Sequence, residues 1–289
     1  MVAVPAAPPR PSSTTANALR YTLRRVGISV GTILICAVIL GVLWQIAVST
    51  SPISSFIAKG PIDVLRWFTQ DGLDGTAAEH RAKILGLLGV TLGHAAIGFV
   101  VGVVLSVTIA IAFFLFSPVE AMFMPIALLL RTVPLLAMAP VIYLIFGDGV
   151  VTAALIGTIV VLFPILVNVT VGLRSANRQS IDLIRVNGGG RFTVLTKVAI
   201  PTALPHFFAS MRIAVPGAIT GAMLYEWLFT FQGMGAAVQS AKAQSDYPLI
   251  WAVTVFVTVV SILLYTIATF VEAAVLSEWG PDAGKAVGR

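Results

Sequence analysis

The sequence predicts an all-α integral membrane protein with about six transmembrane helices. Three observations carry the prediction. Hydrophobic residues fill 58% of the 289 positions and charged residues only 10%, against about 45–50% and about 25% in soluble proteins. The mean hydropathy is +0.98. The apolar residues also gather into runs of about 20 or more, the length a helix needs to cross a bilayer. A soluble enzyme is excluded, because its surface would need far more charge, and so is a disordered chain. Cys36 is the only cysteine, which leaves no intrachain disulfide framework and no cysteine-based metal cluster.

The elements follow in order. Residues 1–25, rich in Pro, Ala, Ser and Thr, are expected to form a disordered cytoplasmic tail. Residues 26–83 hold the first span, Val26–Val48, and an external segment. Within that segment Pro61 and the apolar spacing through Phe68 predict a short interfacial helix. Residues 84–277 form the core. Its first run, Ile84–Phe116, is interrupted only by His94 and exceeds one crossing. A third span, Met122–Phe146, contains Arg131, Pro134 and Pro140, and a fourth runs Val150–Leu173. After a polar loop at 174–205 come a fifth span, His206–Leu228, and a sixth, Leu249–Val275. Residues 278–289 are a second cytoplasmic tail.

An even number of spans puts both termini on one side, and the basic residues choose which. Arg10, Arg20, Arg24, Arg25, Arg174, Arg178, Arg185, Arg191, Lys197, Lys285 and Arg289 share one face; Lys59, Arg66, Arg81, Lys83 and Lys242 share the other. The positive-inside rule places the first group in the cytoplasm. The net charge of +6 is therefore read as topology, and no nucleic-acid partner is expected.

The 174–205 loop carries more pattern than a connection needs. Ser180 to Val186 is helix-compatible, with Ser180 as N-cap and Asp182 in the first turn. Gly188, Gly189 and Gly190 supply a sharp turn. Arg191 to Val198 then resumes as a helix that Pro201 and Pro205 end. Such a helix–turn–helix offers apolar and basic side chains to a cytosolic partner. An amphipathic hairpin lying on anionic membrane lipid is the alternative that this chemistry leaves open.

This segment resembles the cytoplasmic loop signature of the membrane subunits of ATP-binding-cassette importers. That signature has an acidic residue, two small ones, a glycine and a closing Leu-Pro. Here Asp182-Leu183-Ile184, Gly188 and Ile200-Pro201 stand at those places. Asp replaces the usual Glu, and Leu-Ile replaces two alanines, giving a bulkier contact surface. Leu130 to Pro140, Phe146-Gly147, Tyr225-Glu226-Trp227-Leu228 and Gly233-Met234-Gly235 resemble segments of the nitrate, sulfonate, taurine and bicarbonate permeases. Thr91-Leu92 with Gly98-Phe99 resembles another, with His94 where an arginine is common.

The resemblance implies a type I ABC importer permease (MetI-like) fold. It implies that Asp182, Leu183, Ile184, Gly188, Gly189, Arg191, Phe192 and Pro201 couple to cytosolic ABC ATPase subunits. A second permease copy in a homodimer and an extracytoplasmic solute-binding protein are the other expected partners. The solute would be a small anion or a small heterocyclic vitamin precursor. The chain has no Gly-x-x-x-x-Gly-Lys-Ser/Thr phosphate loop. No enzymatic activity and no cofactor are therefore expected, with ATP bound by the partner subunits.

Charges within spans cost about 2.5–3.5 kcal/mol on insertion scales and call for a role. Arg131 either neutralises carbonyls freed at Pro134 or binds an anion. Glu226 faces the path or sits at the interface, and Arg212 snorkels to headgroups. Met138, Tyr143 and Phe146 form an apolar gate or pack ordinarily; His94 and His206 are structural. An ion-gradient-driven secondary transporter would show inverted repeats, and a membrane enzyme would show clustered His, Asp and Glu. The sequence displays neither.

Overall fold

The computed structural model describes residues 31, 35–72, 75–130 and 132–279. The expected N-terminal tail, most of the first nine residues of the first span, Arg131 and the last ten residues lie outside that set. Apart from an isolated bridge between Gly72 and Gly75, the regular structure of the described residues is helical. The chain divides into two units, residues 1–62 with 287–289 and residues 63–286.

The first unit contains α1, Ile35–Thr50, whose Ile35, Leu40 and Leu43 are exposed as a membrane helix requires. At its end the Ser49 and Thr50 hydroxyls both donate to the Ile46 carbonyl, at 3.0 and 2.8 Å. Cys36 is exposed.

The second unit is a bundle built around one central helix. α2 (Pro61–Thr69) straddles the unit boundary and matches the expected short helix to within a residue. Trp67 lies flat on His80 with ring centroids 4.1 Å apart, and His80 Nδ1 meets the Trp67 carbonyl at 2.9 Å. α3 (Ala77–Leu115) begins seven residues before the expected Ile84. The cause is a reciprocal capping box, in which Thr76 accepts from the Glu79 amide and Glu79 from the Thr76 amide. Its 39 residues span about 58 Å at 1.5 Å per residue, well beyond the hydrocarbon core.

The expected third span is two helices rather than one. α4 (Ser117–Leu130) has 14 residues and α5 (Leu135–Phe146) has 12. Each is shorter than a crossing, because Pro134 stands as the N-cap of α5 and cannot continue a helix from the preceding turn. α6 (Val150–Arg174) agrees with the expected fourth span to one residue.

α7 (Arg178–Val186) and α8 (Arg191–Val194) follow, and a π-helical turn at Leu195–Ala199 leads into α9 (Ile200–Phe229). Pro201 and Pro205 thus do not end a helix. Pro201 occupies the opening turn of α9, where a missing amide costs little, and Pro205 lies inside it. α10 (Gly233–Ala243) is a short helix, and α11 (Tyr247–Trp279) is the last span. Among the described residues four helical stretches are long and apolar enough to cross a membrane: Ala77–Leu115, Val150–Arg174, Arg191–Phe229 and Tyr247–Leu276. α1, Ser117–Leu129 of α4 and α5 are shorter apolar helices.

α6 runs between α3 and α9 at backbone contact. A Cβ added to Gly98 would stand 2.7 Å from the Gly157 Cα, and one on Gly221 would stand 3.0 Å from the same atom. Glycine at all three places lets the helices approach closely enough for dispersion to hold them where lipid supplies no hydrophobic drive. Val161, Ile165, Leu166 and Val169 of α6 continue the contact into the main core cluster with Ala214, Ala218 and Ala222 of α9. Arg212 of α9 pairs with Glu272 of α11 at 2.9 Å. The headgroup-snorkelling arginine of the sequence reading is instead half of an interhelical ion pair.

Candidate functional site

The first site is the α7–α8 knob. Asn177 caps α7, its Oδ1 accepting from the Gln179 amide at 2.9 Å. The sequence reading placed the cap at Ser180, three residues late, so Asp182 lies beyond the first turn. The helix closes as a Schellman motif: the Gly189 amide donates to the Ile184 carbonyl and the Gly188 amide to that of Arg185, both at 2.9 Å. Gly188 has φ +80°, a conformation only glycine adopts without strain. Gly189 is needed for a different reason, because a Cβ there would strike the Ile184 side chain.

This rigid turn presents Leu183, Val186 and Phe192 at 67, 87 and 70% exposure, beside the exposed Asp182 and Arg185. Large apolar groups held open on a polar helix mark a contact surface. Val186 belongs to it and was missed in the sequence, although its place just before the glycine turn was the available signal. Ile184 is half-buried inside the knob, and Pro201 is exposed at the start of α9. Arg191 donates to the Leu115 carbonyl of α3 at 2.8 Å, and Arg174 of α6 pairs with Glu120 of α4.

The second site is a buried carboxylate. Glu226 is wholly inaccessible, so the expected path-facing or interfacial position gives way to an enclosed one. Its Oε2 accepts from the Thr91 hydroxyl at 2.8 Å and the Gly235 amide at 3.0 Å, and its Oε1 meets His94 Nδ1 at 2.8 Å. The Met234 amide donates to Thr91 Oγ1 at 2.9 Å. One carboxylate from α9 thus serves the opening of α10, which has no side-chain cap of its own, and is clamped by two residues of α3. An anion at a helix N-terminus suits the unpaired amides and the dipole there. Gly233, at φ +87°, makes room for it, since a Cβ would meet the Glu226 carboxyl group.

The network extends outward. The His94 ring stands edge-on to Tyr225 at 5.3 Å, and the Tyr225 hydroxyl donates to Asp148 in the α5–α6 turn at 2.9 Å. Two regions far apart in sequence, Thr91 with His94 and Glu226 with the Gly233–Gly235 turn, therefore meet at one place. Of the other path candidates, Met138 and Tyr143 are half-buried, Tyr143 stacking on Phe229 at 4.5 Å, and Phe146 is exposed. Arg131 is outside the described residues.

Fold and sites together define a class: a polytopic helical membrane subunit that carries a preformed, apolar-tipped helix–turn–helix between two of its spans. Residues 85–277 match the family described as binding-protein-dependent transport system inner membrane component, and the chain belongs to that family. It is the permease subunit of an ATP-binding-cassette importer, in the group that includes the nitrate, sulfonate and taurine permeases. It is 29% identical to a riboflavin transport system permease protein of Chloroflexus aurantiacus, over 80% of this chain and 84% of that one. It is 31% identical to a formylaminopyrimidine transport permease protein of Halalkalibacterium halodurans, over 61% and 70%. A putative aliphatic sulfonates transport permease protein of Bacillus subtilis is 27% identical over 84% and 86%. The fold is also that of a solved chain from the inward-facing MetNI methionine ABC transporter, with TM-score 0.55 and 18% identity over 66% of this chain and 94% of the other.

Proposed function

We propose that this permease docks cytosolic ABC ATPases through Leu183, Val186 and Phe192. Asp182 and Arg185 flank the contact, and Gly188 and Gly189 hold its shape. The single observation that supports this reading is the exposure of three large apolar side chains on a rigid turn. Two copies of the chain enclose the path, and a solute-binding protein delivers the solute from outside. ATP is bound and split by the partner subunits, so the chain needs no cofactor and catalyses no reaction itself. Closure of the ATPases shifts the membrane halves between two discrete states of access. Both termini and the knob lie in the cytoplasm, in keeping with the excess of basic residues on that side.

The solute is a small heterocyclic vitamin precursor or a small anion such as a sulfonate. The riboflavin and formylaminopyrimidine permeases favour the first class and the sulfonate permease the second. Among the described residues the intramembrane Arg212 and Glu226 are already engaged within the chain, Arg212 with Glu272 and Glu226 with His94. The test is ATP-dependent uptake into proteoliposomes holding the permease, its ATPase and its binding protein. Phe192→Asp should abolish both ATPase retention and uptake; retention of either overturns the docking assignment.

A further inference from the structure

Arg191 opens α8 beside the exposed Phe192, yet its guanidinium is engaged within the chain, donating from Nη1 to the Leu115 carbonyl at 2.8 Å. Leu115 is the last residue of α3. The next amides downstream do not serve it: Phe116 donates to Ala112, and Val119 and Glu120 both donate to Phe116. A helix end leaves its last carbonyls unpaired and carries the negative end of the dipole, which a guanidinium suits in both charge and geometry. On the other flank of the knob Arg174, the last residue of α6, pairs with Glu120 in the first turn of α4. Two arginines bracketing α7 thus fasten the knob to the α3–α4 corner.

We propose that Arg191 is the positioning residue that passes movement of the docked knob into α3. The inference rests on the docking reading above and gives Arg191 a role distinct from contact with the ATPase. The partner would hold Leu183 and Phe192, while Arg191 holds the end of α3. That helix packs on α6 at Gly98 and carries Thr91 and His94 onto Glu226. Movement entering at Leu115 is therefore delivered to the buried carboxylate by one continuous helix. Without Arg191 the knob still folds, because its cap and Schellman turn lie within residues 177–189.

The test uses the whole complex of permease, ATPase and binding protein in proteoliposomes, reading ATPase stoichiometry and solute moved per ATP hydrolysed. Arg191→Ala is expected to keep its ATPase and its hydrolysis while solute per ATP falls about tenfold, the scale of one charge-assisted hydrogen bond. Arg191→Lys, which keeps a charged donor, restores most of the yield. If Arg191→Ala does not accumulate in the membrane, Arg191→Gln, which loses the charge but keeps a donor, is read the same way. Release of the ATPase by Arg191→Ala, an unchanged yield, or a Lys variant no better than Ala would overturn the proposal. Failure of the docking reading is separately visible, as a wild-type complex that retains no ATPase.

Discussion

Replacing Glu226 by alanine should destabilise the bundle far more than replacing it by glutamine, and the structure says by how much. Three donors converge on the carboxylate, but they are not equally stranded by its loss. Thr91 can turn back to the Leu87 carbonyl, already 3.2 Å away. The His94 side chain is 22% exposed and can find another partner. The Gly235 amide is buried and has only Glu226. An unsatisfied buried donor costs about 1–3 kcal/mol, and the vacated volume adds a cavity term. The two terms together come to about 3–5 kcal/mol. Glutamine keeps the shape, can accept from Thr91 and Gly235 through its carbonyl, and can turn its amide to the other imidazole tautomer. Only the charge assistance is lost, so the cost falls to about 1–2 kcal/mol. Thermal unfolding of the purified permease in detergent, followed by tryptophan fluorescence, measures both. Alanine should lower Tm by on the order of 10 °C, at about 2–4 °C per kcal/mol for a chain of this size, and glutamine by a few degrees. An alanine variant as stable as the wild type, or a glutamine variant as damaged as alanine, would refute the reasoning.

Gly233→Ala should lower Tm to a similar extent, because its Cβ would enter the space of the Glu226 carboxyl group; combined with Glu226→Ala the two losses should be markedly less than additive. Gly157→Ala places a Cβ 2.9 Å from the Gly98 Cα and should cost about 1–3 kcal/mol by overpacking. Gly86→Ala in α3 meets nothing within 4 Å and should be neutral or slightly stabilising on the same melting curve. Gly188→Ala forces a side chain into the left-handed region at about 1–2 kcal/mol. It should loosen the knob and reduce solute-stimulated ATP hydrolysis, while Gly188→Asn, which tolerates that region better, should lose less.

Much of the fold was legible because lipid imposes a simple rule, that spans be long and apolar. α6 was readable almost to the residue, since Val150–Arg174 has no proline near its ends and is bounded by glycine and arginine. α2 and the α7–turn–α8 pattern were readable because proline and glycine punctuate them. The misplaced boundaries follow from weighing hydropathy over capping. Thr76 and Glu79 carry the capping-box spacing that starts α3, and Asn177 is a better-placed cap than Ser180. Pro134 broke a span, whereas Pro201 did not, because a proline is tolerated in an opening turn and the preceding π turn repositions the chain; Pro205 is carried inside α9.

The candidate sites divide in the same way. The knob is local and could be read from residues 177–192. The Glu226 cluster joins positions 91, 94, 226 and 235, and no local pattern spells a contact across more than a hundred residues. The signal that could have suggested it is physical: a carboxylate in a span must have partners, and the polar residues available in the other spans were few. Thr91 and His94, one helical turn apart, were among them.

The most direct test of the central claim, that α7–α8 is the docking element for an ATPase, is photo-crosslinking at its most exposed aromatic. A benzophenone side chain at position 192, in membranes co-expressing the importer, should attach to an ATP-binding subunit on irradiation. The same probe at Leu144, 82% exposed on α5, should not. Attachment to that subunit from position 144 and not from 192, or to lipid alone from 192, would contradict the account.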